Sequence, residues 1–266
     1  MSKVLSMFSK PKPHPRHLRR GVFLLPSMFT VANMFCGWAC IVYAMRGDFS
    51  TAAPFIGFAM VLDLLDGRIA RATGATSDFG VQFDSLADIV SFGVAPATLV
   101  FSWGLEPLGR LGWAVAFLWL TATAVRLGRF NLKGKKGSKR YFVGLPSPAA
   151  AGVPAATVFA MPGGLTEPVV AVGALSIVLV PALLMVSRIR FRAFDTLIPG
   201  RRRSYSTPLV IAVVIAAIAA QPRAVLVAMA YTYLLSGLVG AVWNHGKRGS
   251  EQEDSFEMSS DTSQSA

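Results

Sequence analysis

Charge is what this chain has little of. Only 15% of its 266 residues are Asp, Glu, Lys or Arg, against 53% hydrophobic. A soluble domain carries about a quarter charged residues, so the composition excludes an ordinary soluble domain and points to an integral membrane protein. Acids are scarcer than bases, 14 against 26. Cysteine is nearly absent. Cys36 and Cys40, one turn apart in an apolar segment, imply neither a disulfide nor a metal site and read as small packing residues. His14 and His17 lack the partners a metal site needs. An apolar core is missing from residues 1–20, so no cleavable signal peptide is expected and the first apolar segment reads as an uncleaved anchor.

What remains is a series of apolar segments. Eight spans are predicted, at about 22–45, 50–69, 81–103, 108–130, 146–162, 167–187, 207–220 and 223–243, several of them near the ~20 residues a helix needs to cross a bilayer. The fold class is therefore an all-α polytopic membrane protein of about eight transmembrane helices. With the N-terminus in the cytoplasm, 23 of the 26 Lys and Arg fall on the cytoplasmic side, and only Arg46, Arg110 and Arg223 lie outside. This asymmetry predicts an even span count with both termini cytoplasmic. The net charge of +12 then sits on one membrane face, which suits anionic lipid headgroups rather than nucleic acid.

Three regions follow: a basic, Pro-containing leader at 1–20, a transmembrane domain at 21–245 that would hold any catalytic site, and a polar acidic tail at 246–266 expected to be disordered. The loop SRIRFRAFDTLIPGRRRSY interleaves basic and apolar residues and is expected along the headgroups. Trp103 and Trp113 bracket an outer loop, as residues of an aromatic belt would.

Among so few acids, four stand inside apolar sequence. The stretch DLLDGRIARATGATSDFGVQFDSLAD carries Asp63, Asp66, Asp84 and Asp88 on either side of a short linker holding Arg71, Thr73, Gly74 and Ser77. Intramembrane carboxylates are costly and need partners. The two arginines of this stretch, Arg68 and Arg71, cannot neutralise four of them. Asp63 and Asp66 are i, i+3 on one helix, and Asp84 and Asp88 are i, i+4 on the next, so each pair shares a face. A helical hairpin can aim both pairs at one volume. The donors would be hard oxygens, which suit Mg²⁺, Mn²⁺ or Ca²⁺. Gly67 and Gly80 permit close approach, and Ala70 keeps the face shallow.

The order Asp63-x-x-Asp66-Gly67-x-x-Ala70-Arg71, eight residues, Gly80-x-x-x-Asp84-x-x-x-Asp88 is similar to the signature of the CDP-alcohol phosphatidyltransferases at all eight positions. Three further segments resemble the phosphatidylserine synthase branch. They are the first span, where Ser27 stands for a usual Asn ahead of Phe29, Thr30 and Asn33; the run DSLADIVSFGVAPA; and RLGRFN followed by GLPSPAAAG, with Gly128 in place of an Ala. The resemblance covers about residues 20–152.

It implies a helical bundle that transfers a phosphatidyl group from a CDP-linked lipid to an alcohol and releases CMP. Asp63, Asp66 and Asp84 would hold divalent cations, two Mg²⁺ or Mn²⁺ ions, and Asp88 would share a metal or take the alcohol's proton. Arg71 would grip the nucleotide phosphate, and Gly67, Ala70 and Gly80 would make room for the CDP moiety. The implied acceptor is L-serine. Arg126 and Arg129, with their planar forks, are candidates for its carboxylate, and Asn131 for a further polar contact. Ser27, Thr30 and Asn33 recur on one face of span one, which is expected to pack on a partner or line a site. A homodimer in the cell or inner membrane, with the active site facing the cytoplasm, completes the expectation. The alternatives are the same chemistry with glycerol 3-phosphate, an inositol phosphate or choline, and a cation or solute transporter.

Overall fold

The computed structural model describes residues 24–73, 77–133, 141–187, 190–192 and 206–238. The leader 1–20, the tail 246–266 and most of the loop between 188 and 205 lie outside the described residues. The helices are α1 (Leu24–Met45), α2 (Phe49–Thr73), α3 (Asp78–Leu108), α4 (Arg110–Lys133), α5 (Ser147–Ala160), α6 (Pro168–Val186), α7 (Ser206–Ala220) and α8 (residues 222–238). Five of them, α1, α2, α3, α4 and α6, are long and apolar enough to cross a membrane; α5 and Pro208–Ala220 within α7 are shorter apolar helices.

Among the described residues one feature departs from an all-helical chain. Strands β1 (Tyr141–Val143) and β2 (Arg190–Arg192) pair antiparallel, with Phe142 opposite Phe191. They continue a tie that begins where the Leu145 amide donates to the Leu184 carbonyl at the end of α6. Gly144 makes this possible: its φ is +85°, and a Cβ there would stand 2.4 Å from the Met185 carbonyl oxygen. Only glycine accommodates both constraints.

The helices pack through small residues. Cys36, Cys40 and Ala44 form a buried seam on α1 against Ala52, Ala53, Ile56 and Ala59 of α2. Ala171, Ala174, Val178 and Ala182 form another on α6. Small side chains let helix backbones approach closely, and that contact replaces the hydrophobic drive lipid does not supply. Both cysteines are free and buried, as the packing role requires.

At the centre lies α3, in contact with α1, α4 and α5. It is α-helical over Asp78–Asp88, π-helical over Ile89–Val94, α-helical again over Ala95–Val100 and π-helical over Phe101–Leu105. Pro96 has no amide proton, so the Phe92 carbonyl four residues earlier loses its helical donor. The Trp119 indole of α4 donates to that carbonyl at 3.1 Å. Trp103 corrects the aromatic-belt expectation. It is buried, and its indole donates to the Met161 carbonyl at the end of α5, whereas Trp113 is exposed. The carbonyl freed at a helix terminus offered the indole a partner inside the bundle.

Candidate metal and phosphotransfer centre

The hairpin expected from the spacing forms. Helix α2 runs further than the sequence suggested, through Thr73, so Arg71 and Thr73 belong to its last turn rather than to a linker. Arg71 follows a good helix former, and nothing between Gly67 and Thr73 breaks the helix. Ser77 caps α3: its hydroxyl accepts from the Gly80 amide at 3.0 Å. Gly80 thus stands in the first turn of α3, half-buried, while Gly67 and Ala70 are half-buried on α2.

Asp63 of α2 and Asp84 and Asp88 of α3 converge. One oxygen from each lies within 4.8 Å of the others. Asp88 is buried, and Asp63 and Asp84 are half-buried. Asp66 is close enough to repel Asp63 and Asp84 but is not a member of the trio. Its carboxylate turns to α1, where the Thr30 hydroxyl donates to Oδ2. Asp88 is met from α1 too: Asn33 Nδ2 donates to its Oδ1 at 3.4 Å.

Arg126 comes from α4. Its charge acts on Asp88 and Asp63, and its guanidinium donates to the Ser147 hydroxyl at the start of α5. Ser147 is fully buried, so the bond replaces hydration that both groups lost. Arg129, one turn on, parts from Arg126. It is exposed and donates to the Val186 carbonyl at the end of α6, 2.6 Å away. Asn131 bonds Ser85 of α3, its Nδ2 donating to the Ser85 hydroxyl at 3.0 Å. The three residues expected to bind the acceptor therefore occupy three settings, and Arg126 alone of them acts on the carboxylates by an interaction seen here.

Thr30, Asn33, Ser85 and Ser147 were not among the site residues inferred from sequence. The polar face of α1 was the available signal for the first two. For Ser147 it was the GLPSP run, whose Gly144 carries the positive φ of the turn between β1 and α5.

The donor set tests the metal expectation. Among the described residues three carboxylate oxygens share one volume on which the Arg126 guanidinium acts, and neither buried cysteine belongs to the group. Excess negative charge from hard oxygens in a low-dielectric site is what a divalent cation such as Mg²⁺ or Mn²⁺ offsets. The residues present fit such an ion.

Comparison with known proteins agrees with this geometry. Residues 23–183 match the CDP-alcohol phosphatidyltransferase family. The chain belongs to that family. It is accordingly an integral membrane protein, and its aspartate hairpin lies within the matched region. Among curated relatives it is 38% identical over 178 residues to a CDP-diacylglycerol–serine O-phosphatidyltransferase of Helicobacter pylori, covering 65% of this chain and 73% of that protein. A protein of the same name from Mycobacterium leprae is 39% identical over 152 residues, 54% of this chain and 49% of that one. One from Bacillus subtilis is 37% identical over 126 residues, 47% of this chain and 70% of that one. The chain thus spans about half the length of the mycobacterial relative and more of the other two.

Proposed function

We propose that this protein is a CDP-diacylglycerol–serine O-phosphatidyltransferase, transferring the phosphatidyl group of CDP-diacylglycerol to L-serine to give phosphatidylserine and CMP. The observation that carries the reading is the convergence of Asp63, Asp84 and Asp88 in a chain of this family, whose relatives carry that name.

Asp63, Asp84 and Asp88 would hold the divalent cations, two Mg²⁺ or Mn²⁺ ions, with Asp66 contributing from the same helix face. Bound there, the cations supply Lewis-acid stabilisation of charge on the pyrophosphate. Arg71 would grip the nucleotide phosphate, and Gly67, Ala70 and Gly80 would make room for the CDP moiety. The serine hydroxyl oxygen attacks the phosphorus that bears the diacylglycerol. A new P–O bond forms, the P–O bond to CMP breaks, and CMP leaves. Asp88 receives the hydroxyl proton, consistent with its position against Asn33 at the floor of the site. Arg126, whose charge acts on Asp88 and Asp63, would pair with the serine carboxylate; Arg129 and Asn131 would add contacts to the acceptor only by leaving their present partners, the Val186 carbonyl and Ser85.

The basic asymmetry supports eight spans, cytoplasmic termini and a cytoplasm-facing site in the cell membrane. A homodimer in contact with anionic lipids belongs to the same proposal; cross-linking in native membranes tests it. The enzymatic reading is tested by CMP release from CDP-diacylglycerol in detergent with a panel of acceptors. Serine should be used best. Faster use of glycerol 3-phosphate, an inositol phosphate or choline overturns the acceptor, and cation or solute transport without CMP release overturns the chemistry.

A further inference from the structure

A carboxylate that is to hold a metal must present one oxygen in a fixed direction, and an unsupported Asp rotates freely about its last bond. Two of the four aspartates are held from outside the hairpin. The Thr30 hydroxyl donates to Asp66 Oδ2, and Asn33 Nδ2 donates to Asp88 Oδ1. Each bond engages one oxygen of its carboxylate, on Asp88 a member of the trio and on Asp66 its neighbour on the same helix. Both donors are buried, Thr30 at 4% exposure and Asn33 at 0%.

The donors are themselves fixed in height. The Ser91 hydroxyl, on the same face of α3 as Asp88, donates to the Asn33 main-chain carbonyl at 2.9 Å. One turn further along α1, Gly37 lets the two helices touch; a Cβ there would lie 2.7 Å from Ser91 Cα. The Asn33 amide presents its NH₂ to Asp88 because a carboxylate can only accept. Its Oδ1 is buried and has no hydrogen-bond partner among the described residues. A buried amide oxygen without a donor is destabilising, so packing alone does not account for an Asn at this position.

We propose that α1 is the third wall of the metal centre, with Thr30 and Asn33 acting as positioning residues that orient Asp66 and Asp88 and thereby set the affinity for the divalent cation. This rests on the metal-dependent reading above.

The experiment measures Mn²⁺ binding by electron paramagnetic resonance on the purified full-length protein, stripped with chelator and without substrate. Thr30→Val and Asn33→Leu keep approximate volume and remove the donors. Each should weaken Mn²⁺ binding about 10- to 100-fold, the usual effect of removing a group that orients a metal ligand. Thr30→Ser keeps the hydroxyl and should bind within a few-fold of the parent. In CMP release, the metal concentration for half-maximal rate should rise in the first two variants, and saturating metal should restore most of the maximal rate. A general packing defect would lower the maximal rate without moving that midpoint. Parent-like Mn²⁺ affinity in Thr30→Val and Asn33→Leu overturns the proposal, as does a loss in Thr30→Ser equal to that in Thr30→Val. A parent protein that binds no Mn²⁺ overturns the metal reading itself.

Discussion

Replacing Gly37 with alanine tests how far the centre depends on the α1–α3 contact. The added carbon would stand 2.7 Å from both Cα and Oγ of Ser91. Carbon–carbon contacts settle at about 3.5–4.0 Å, so the two helices must part by about 1 Å. Overpacking of this kind costs about 1–3 kcal/mol. Against it stands a gain of at most about 1 kcal/mol from the better helix propensity of alanine. The net loss of stability should be about 1 kcal/mol, a fall in melting temperature of about 2–4 °C for a chain of this size. Activity should suffer more. The Asn33–Asp88 bond is already 3.4 Å long, and 1 Å of separation breaks it. Misplacement on that scale costs about 100-fold in rate. The assay is CMP release together with thermal melting in detergent. Gly57→Ala is the control: a Cβ there meets nothing within 4 Å, so it has the same propensity gain and no clash. Ser91→Gly should not rescue Gly37→Ala, because the contact with Ser91 Cα remains. Turnover within about twofold of the parent in Gly37→Ala, with normal melting, would refute the claim that this contact positions the centre.

Four further outcomes are expected. Chelator should abolish CMP release and added Mg²⁺ or Mn²⁺ restore it; full turnover in metal-free buffer would sink the site assignment. Arg126→Ala should raise the KM for serine 10- to 100-fold, from loss of a charge-assisted bond of about 1.5–3 kcal/mol. Arg126→Lys should recover little because the fork is lost, and an unchanged serine KM in both variants would place the acceptor elsewhere. Gly144→Ala should destabilise the protein by more than about 1 kcal/mol, since it combines a positive φ with a clash against the Met185 carbonyl; an unchanged melting temperature would contradict the geometry. A cysteine at the exposed Ser77 should react with impermeant reagent only from the cytoplasmic side, and labelling of intact cells from outside would reverse the proposed orientation.

Helix positions and the meeting of the acidic pairs were legible in the sequence because both are local properties. An apolar run of membrane length forms a helix whatever surrounds it. Residues three or four apart share a face whatever they touch. Asp84 and Asp88 thus had to point together, and a hairpin with Asp63 was the economical arrangement. The family signature lies wholly within that local stretch.

What tertiary structure alone decided is where the second contacts of each residue lie. Thr30 and Asp66 are 36 residues apart, Asn33 and Asp88 are 55 apart, and Ser91 and Asn33 are 58 apart. No periodicity encodes such pairings. They follow from how closely α1 can settle on α3, which depends on one missing side chain at Gly37. Arg126 and Arg129 make the same point in reverse. Their spacing places them on one helix face, yet Arg126 turns to Ser147 and the carboxylates while Arg129 takes the last carbonyl of α6. Trp103 stayed inside because the end of α5 left a carbonyl within its reach. A sequence states which groups a helix presents; which of them finds a partner depends on what the packed neighbours leave unsatisfied.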